Sequence, residues 1–206
     1  MTFADHRSKS SDPHNCSADE ARFFRGWLRR PLVMGAVSPS SKALGRAMAA
    51  YVPLEEILAR GMAVLELGPG TGVVTRCLID RGVPEENLVL TEYTREFCVL
   101  LRARFPKATV IEGDAYRHGA ETEAALGGRA IGAVVSSLPL FTQPDAMRED
   151  VIGGSLDRMA AGYPFIQFSY ALTVPVKPAR IEAEIEISPW VKLNLPPARV
   201  LVYRRG

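Results

Sequence analysis

Glu66, Gly68, Gly70 and Gly72 alternate with Leu67, Pro69 and Thr71 directly after the apolar run Ala63-Val64-Leu65. A buried strand that runs into glycines and then into a helical pattern makes a turn whose backbone a ligand can approach, because no side chain blocks it. The spacing selects among ligands. A dinucleotide site takes its third glycine three residues after the second, at position 73, but this chain has Val73 there and its glycine at 72. Roughly twenty residues further on, Glu92 closes a second apolar run, where a carboxylate can accept hydrogen bonds from both hydroxyls of a ribose. Asp114, in Glu112-Gly113-Asp114-Ala115, follows a third run; it is either a further acceptor or an ordinary turn aspartate.

The elements that must position these residues follow from apolar periodicity. Short apolar runs alternate with helical segments after Gly61, the pattern of a parallel sheet covered on both faces. Strands are predicted over 63–67, 88–91, 109–112, 133–136 and 165–169, and helices over 73–81, 95–105, 121–126 and 144–159. Ile181 to Ile187 alternates apolar and charged residues, and Arg199 to Tyr203 is another short run, so five parallel strands are followed by a hairpin. Upstream, a helix is predicted with Ser38 as its cap and Pro39 at its first position, running to about Tyr51; Pro53 then opens a helical turn ending at Gly61.

Composition bounds the class. The 206 residues (22.5 kDa) suit one core, and 47% hydrophobic with 23% charged residues is ordinary for a folded chain. Lys plus Arg at 25 against Asp plus Glu at 23 leaves a net charge of +2, which argues against a surface built throughout for nucleic acid. Cys16, Cys77 and Cys98 lack metal or disulfide spacing, so reduced thiols in a cytosolic setting are expected. No metal site is expected; His6 and His14 belong to a polar tail spanning residues 1–17. There is no apolar run long enough to cross a membrane and no secretory signal pattern.

The glycine string Leu65-Glu66-Leu67-Gly68-Pro69-Gly70-Thr71-Gly72 resembles motif I of the class I S-adenosylmethionine-dependent methyltransferases. That resemblance implies a Rossmann-like α/β fold: a seven-stranded, mostly parallel sheet with an antiparallel C-terminal hairpin, helices on both faces, and additional N-terminal helices over 18–60 joined to the 61–206 domain. It implies S-adenosylmethionine as cofactor and S-adenosylhomocysteine as its product. On the same resemblance Glu66, Gly68, Gly70, Thr71, Gly72, Glu92, Tyr93, Asp114, Ala115 and Ser136 contact the cofactor, with Asp114 accepting from the adenine amino group and the Ala115 amide facing the ring.

Ser137-Leu138-Pro139-Leu140 ends the fourth strand, where this superfamily faces the methyl group. Methyltransferases acting on nucleobase amines place Asn or Asp first and an aromatic ring last; Ser137 and Leu140 stand there instead, and without a stacking ring a flipped adenine is held poorly. Together with Gly35-Ala36-Val37-Ser38-Pro39-Ser40-Ser41-Lys42-Ala43-Leu44, Gln167-Phe168-Ser169-Tyr170 and Asn194-Leu195-Pro196-Pro197-Ala198, this loop resembles the bacterial phospholipid N-methyltransferases, which lie near the ribosomal RNA adenine dimethylases. The resemblance implies methylation of the amine of phosphatidylethanolamine and its mono- and dimethyl derivatives towards phosphatidylcholine. Ser137 and Leu138 then line the substrate site, Tyr170 orients the amine or walls its methylated product by cation–π contact, and Lys42, Lys177 and Arg180 are the candidate cations for the lipid phosphate.

An independent feature points the same way. Between Arg22 and Arg46 there are six basic residues and no acidic one. Phe23, Phe24, Trp27 and Leu28 share one face of a predicted helix over 18–30, with Arg22, Arg25, Arg29 and Arg30 elsewhere on the wheel. Such a helix suits the plane of an anionic bilayer, each basic residue contributing about 1 kcal/mol, although its apolar face could equally pack on the domain. The expectation is a cytoplasmic monomer attached peripherally to the inner face of the cell membrane, with no nucleic-acid partner. Two rival readings are an RNA adenine N6-dimethyltransferase and a non-catalytic membrane-associated module that kept the fold.

Overall fold

A computed structural model describes residues 41–117 and 119–206. The expected tail, the amphipathic segment with Arg22, Phe23, Phe24, Arg25, Trp27, Leu28, Arg29 and Arg30, and the expected cap Ser38 lie outside the described residues.

β1 (Ala63–Leu67) is buried at every position, as a strand covered on both faces must be. Parallel strands flank it: β2 (Leu88–Glu92) on one side, with β3 (Thr109–Glu112) beyond, and β4 (Ile131–Ser136) on the other, followed by β5 (Phe165–Ser169). β7 (Arg199–Arg204) enters antiparallel between β5 and β6 (Glu184–Ile187), so the order is β3-β2-β1-β4-β5-β7-β6. Chain order reverses direction across the sheet between β1 and β4. In open α/β sheets ligands bind at that crevice, beyond the carboxyl ends of the strands.

Six α-helices are present among the described residues: α1 (Lys42–Ala49), α2 (Leu54–Arg60), α3 (Val73–Arg81), α4 (Arg95–Arg104), α5 (Ala120–Leu126) and α6 (Asp145–Asp157). α1 begins later than its sequence suggests. In Ser38-Pro39-Ser40-Ser41 it is the Ser41 hydroxyl that accepts the Leu44 N–H (3.1 Å), so Ser41 is the cap. Gly45 lets α1 lie close on α3: a Cβ there would stand 2.8 Å from Cys77 Sγ.

Two strand starts also differ from periodicity, each for a local reason. β4 starts two residues early, at Ile131, because Gly132 fits beneath α2 only without a side chain; an added Cβ would lie 2.7 Å from Ile57 Cγ1. β6 starts late, at Glu184, because Glu182 has φ of 51°, which breaks the extended backbone. Ile181 is buried instead, against Gly153 of α6. α6 ends at Asp157, short of the expected 159.

Candidate functional site

The turn after β1 is held from three sides. Gly68, Gly70 and Gly72 all have positive φ (66°, 55° and 78°), which side chains disfavour. Their surroundings differ. A Cβ on Gly72 would stand 2.5 Å from Phe105 Cε2 and one on Gly68 would stand 3.0 Å from Leu138 Cδ2, whereas one on Gly70 would meet nothing within 4 Å. Gly72 therefore serves packing, Gly68 brings the turn against the loop after β4, and Gly70 faces open space. Thr71 is half-buried, and its carbonyl accepts from Arg104.

Glu66 is fully buried on β1. Its Oε2 accepts the Thr75 hydroxyl at 2.7 Å, and its Oε1 has no partner. Burial pushes its carboxyl up to about 8, with the Thr75 hydrogen bond opposing the rise.

Glu92, nearly buried at the end of β2, reaches back to the turn: Oε2 accepts the Gly70 N–H at 3.0 Å and Oε1 accepts the Thr94 N–H at 2.8 Å. A carboxylate offers about four lone-pair directions, so each oxygen keeps one for a ligand hydroxyl. On the neighbouring strand, Glu112 pairs in register with Glu92, and the Gly113 N–H donates to the Glu92 carbonyl at 2.9 Å. That contact sets the Asp114 turn beside Glu92. Asp114 is exposed; its Oδ1 accepts the Tyr116 N–H at 2.9 Å, its Oδ2 lies 3.7 Å from Arg117 Nε, and Ala115 is buried behind it. Tyr93 projects from the turn between β2 and α4 and is 79% exposed.

The loop after β4 closes the other side. The Ser137 N–H donates to the Leu67 carbonyl (2.9 Å), which prolongs the β1–β4 pairing, and the buried Ser136 hydroxyl accepts the Leu138 N–H (3.3 Å). Gln167 of β5, also buried, donates to the Leu138 carbonyl at 3.1 Å and to that of Phe168 at 2.9 Å. Leu140 turns inward at 3% exposure, while its neighbour Phe141 is 45% exposed beneath the Arg148 guanidinium.

Tyr170 follows β5 and meets Phe168 edge-on, with ring centroids 5.4 Å apart. Burial raises its hydroxyl above the ordinary tyrosine value, and a hydrogen bond to Asn194 opposes that rise. Asn194 is buried and joins three segments: it bonds Tyr170, its Oδ1 accepts the Ser41 N–H at 2.8 Å, and its Nδ2 donates to the Pro196 carbonyl at 2.7 Å. The start of α1 is thereby fixed beside the loop after β5.

The three candidate phosphate cations fare differently. Arg180 forms a two-pronged ion pair with Glu149 of α6, so its charge is already matched. Lys177 and Lys42 are exposed and make no ion pair among the described residues. Lys42 opens α1, and its carbonyl accepts from the Cys77 thiol. The structure thus gathers Glu66, the glycines, Glu92 and Asp114 along adjacent strand ends and sets Ser137, Leu138 and Tyr170 opposite them, but it leaves Arg180 committed elsewhere.

Sequence reasoning missed Arg148 and the part played by Asn194. The Arg148 side chain donates to the carbonyls of Gln143 (2.8 Å) and Pro175 (3.1 Å), which ties the loop after β4 to the loop after β5. It also pairs with Asp145 at 2.7 Å. An arginine three residues into a helix gives no signal for this, because its carbonyl partners are set by the fold.

Known proteins bear on this arrangement. The ribosomal RNA adenine dimethylase family profile matches residues 49–131, which runs from the end of α1 into β4. The chain is similar in fold to magnesium protoporphyrin IX methyltransferase from Synechocystis, solved with S-adenosylmethionine bound (TM-score 0.58, 11% identity, 97% of this chain and 100% of that one). It is also similar to 1,6-didemethyltoxoflavin-N1-methyltransferase from Burkholderia thailandensis, solved with S-adenosylhomocysteine (TM-score 0.58, 14% identity, 98% of this chain and 93% of that one). The fold is that of the S-adenosylmethionine-dependent methyltransferases. Among sequence relatives, this chain is 30% identical over 132 residues to an ornithine lipid N-methyltransferase of Singulisphaera acidiphila, covering 63% of this chain and 66% of that one. It is 38% identical over 102 residues to ribosomal RNA small subunit methyltransferase A of a Synechococcus, covering 47% of this chain and 31% of that one. The chain therefore spans just under two thirds of the first relative and about a third of the second.

The residues present fit S-adenosylmethionine as the cofactor. Gly70 leaves room at the turn, Glu92 keeps acceptor capacity for a ribose diol, and the buried Glu66 Oε1 has no protein hydrogen-bond partner.

Proposed function

We propose that this methyltransferase transfers methyl groups to the primary amine of a membrane lipid, with phosphatidylethanolamine as the substrate. The observation that carries the reading is the loop after β4. Leu138 rests on Gly68 and Leu140 is turned into the core, so the loop offers an aliphatic wall and backbone groups where a base-methylating site needs a stacking ring. The ornithine lipid N-methyltransferase relative supports a lipid amine as the acceptor class.

When bound, S-adenosylmethionine supplies a methyl group on a positive sulfonium. The chain's task is alignment, for which no nucleophilic side chain is needed. Entry into the crevice between Leu138 and Tyr170 desolvates the lipid ammonium and lowers its pKa, so that it sheds its proton to water. Tyr170 is not the acceptor of that proton: burial raises its hydroxyl, which stays protonated at neutral pH and so orients the amine lone pair, with its ring as a cation–π wall for the methylated product. Lys177 and Lys42 remain to meet the lipid phosphate. The basic aromatic segment from Arg22 to Arg30 attaches the enzyme to the inner face of an anionic membrane; among the described residues no helix is long and apolar enough to cross one.

Incorporation of labelled methyl groups into vesicles of phosphatidylethanolamine tests the reading, with ornithine lipid and ribosomal RNA as parallel acceptors. A second reading, adenine N6-dimethylation of RNA, is favoured by the family profile over residues 49–131 and is separated by the same assay.

A further inference from the structure

Three leucines stand almost fully in water at the same end of the sheet as the crevice. Leu172 lies in the loop after β5 and Leu193 and Leu195 in the loop before β7, at 84%, 85% and 86% exposure. Single exposed leucines are unremarkable, but three large side chains beside one site mark an interaction surface. The two loops are fastened to each other. Arg199, at the start of β7, donates to the Leu172 carbonyl and lays its guanidinium over Trp190 (5.3 Å), while Val191 bridges Ala198 across the second loop. Asn194, between the two leucines, bonds Tyr170. The surface is thus continuous with the candidate substrate site.

Charge selects the occupant. Residues 170–180 and 188–199 contain Lys177, Arg180, Lys192 and Arg199 and no acidic residue. Lys177 and Lys192 are exposed and make no ion pair among the described residues. Protruding aliphatic side chains flanked by unmatched lysines suit an anionic lipid surface, whose headgroups take the cations while its hydrocarbon edge takes the leucines.

We propose that Leu172, Leu193 and Leu195, with Lys177 and Lys192 at their flank, form a bilayer-contact surface distinct from the N-terminal segment, and that it seats the mouth of the Tyr170 site on the membrane. The proposal rests on the lipid reading for its purpose but has its own test. The full chain carrying Leu172→Ser, Leu193→Ser and Leu195→Ser is compared with the parent by sedimentation with vesicles of phosphatidylethanolamine and phosphatidylglycerol in equal parts. It is also compared on a short-chain phosphatidylethanolamine dispersed as monomers. All three side chains being solvated, the variant keeps the parent's thermal midpoint and its affinity for S-adenosylhomocysteine. Partition to vesicles is expected to fall at least about tenfold, with KM on vesicles rising and kcat on the monomeric lipid unchanged. Unchanged sedimentation overturns the proposal, whether gel filtration then shows the patch holding a second copy of the chain or shows no change. If the parent methylates no lipid but the variant still loses vesicle binding, the lipid reading fails and the surface stands. If both methylate vesicles with one KM and sediment equally, the surface fails and the lipid reading stands.

Discussion

The Glu92 carboxylate holds the Gly70 backbone: its Oε2 accepts the Gly70 N–H at 3.0 Å while its Oε1 takes that of Thr94 at 2.8 Å. One side chain thereby fastens the glycine turn to the end of β2 and still has lone pairs for a ribose. Glu92→Ala should weaken S-adenosylhomocysteine binding by about 1.5–3 kcal/mol, roughly ten- to a hundredfold, as measured by calorimetry. Glu92→Gln should be nearly as damaging, because its amide must face an N–H donor with one of its own. Equal dissociation constants for all three proteins would place the ribose elsewhere.

The glycines separate packing from binding. Gly72→Ala drives a Cβ to within 2.5 Å of Phe105 at a φ of 78° and should cost about 2–4 kcal/mol of stability. Gly70→Ala meets no atom within 4 Å and should cost only about 1 kcal/mol through its φ of 55°, yet lose cofactor affinity because the methyl fills the ligand's side of the turn. Thermal melts with and without S-adenosylhomocysteine distinguish the two. A Gly70→Ala protein that melts early but binds normally would contradict the assignment.

Glu66 gives a pH dependence. Its carboxyl is raised to about 8, chiefly by burial, against an unfolded value of 4.5, so between these limits the folded state holds the proton that the unfolded state has released. Stability from this group is therefore full below about 4.5, declines as pH rises towards 8, and is level above it, a span on the order of a few kcal/mol. Glu66→Gln should flatten that slope in urea melts of the cofactor-free protein. An identical slope in the variant would mean that another group titrates.

Tyr170→Phe keeps the ring and removes the hydroxyl. If the hydroxyl orients the amine, kcat should fall about tenfold with cofactor affinity unchanged. The pH–rate profile should keep its shape, since a hydroxyl raised by burial does not titrate near neutrality. Loss of a rise of rate with pH in the variant would show that Tyr170 takes the proton after all.

Much of this arrangement was legible in the residues. The glycine spacing and the apolar runs located β1, β3, β5 and α3 to their terminal residues, because short apolar runs bounded by turn residues and a helix set between glycines leave strong local signals. The misplaced boundaries have separate causes. Gly132 in β4 and Glu182 before β6 depart from pattern because of a neighbour, Ile57 in one case, and a turned backbone in the other. Ser41 does not stand out as the cap because Ser38, Ser40 and Ser41 are three candidates within four residues, and only geometry selects the hydroxyl that reaches Leu44. Arg180 carries no sequence sign of its pairing, because its partner Glu149 lies thirty-one residues earlier and only the fold brings the two together. Asn194 belongs to a recognisable motif, but its bond to Ser41 crosses most of the chain and its bond to Tyr170 joins two separate loops, so neither leaves a local trace.

The central claim is that the amine acceptor is a lipid. Labelled methyl transfer from S-adenosylmethionine, measured side by side on phosphatidylethanolamine vesicles and on ribosomal RNA, tests it most directly. Label is expected in mono-, di- or trimethylated lipid and none in RNA; label in RNA adenine with none in lipid would make the acceptor a nucleobase instead.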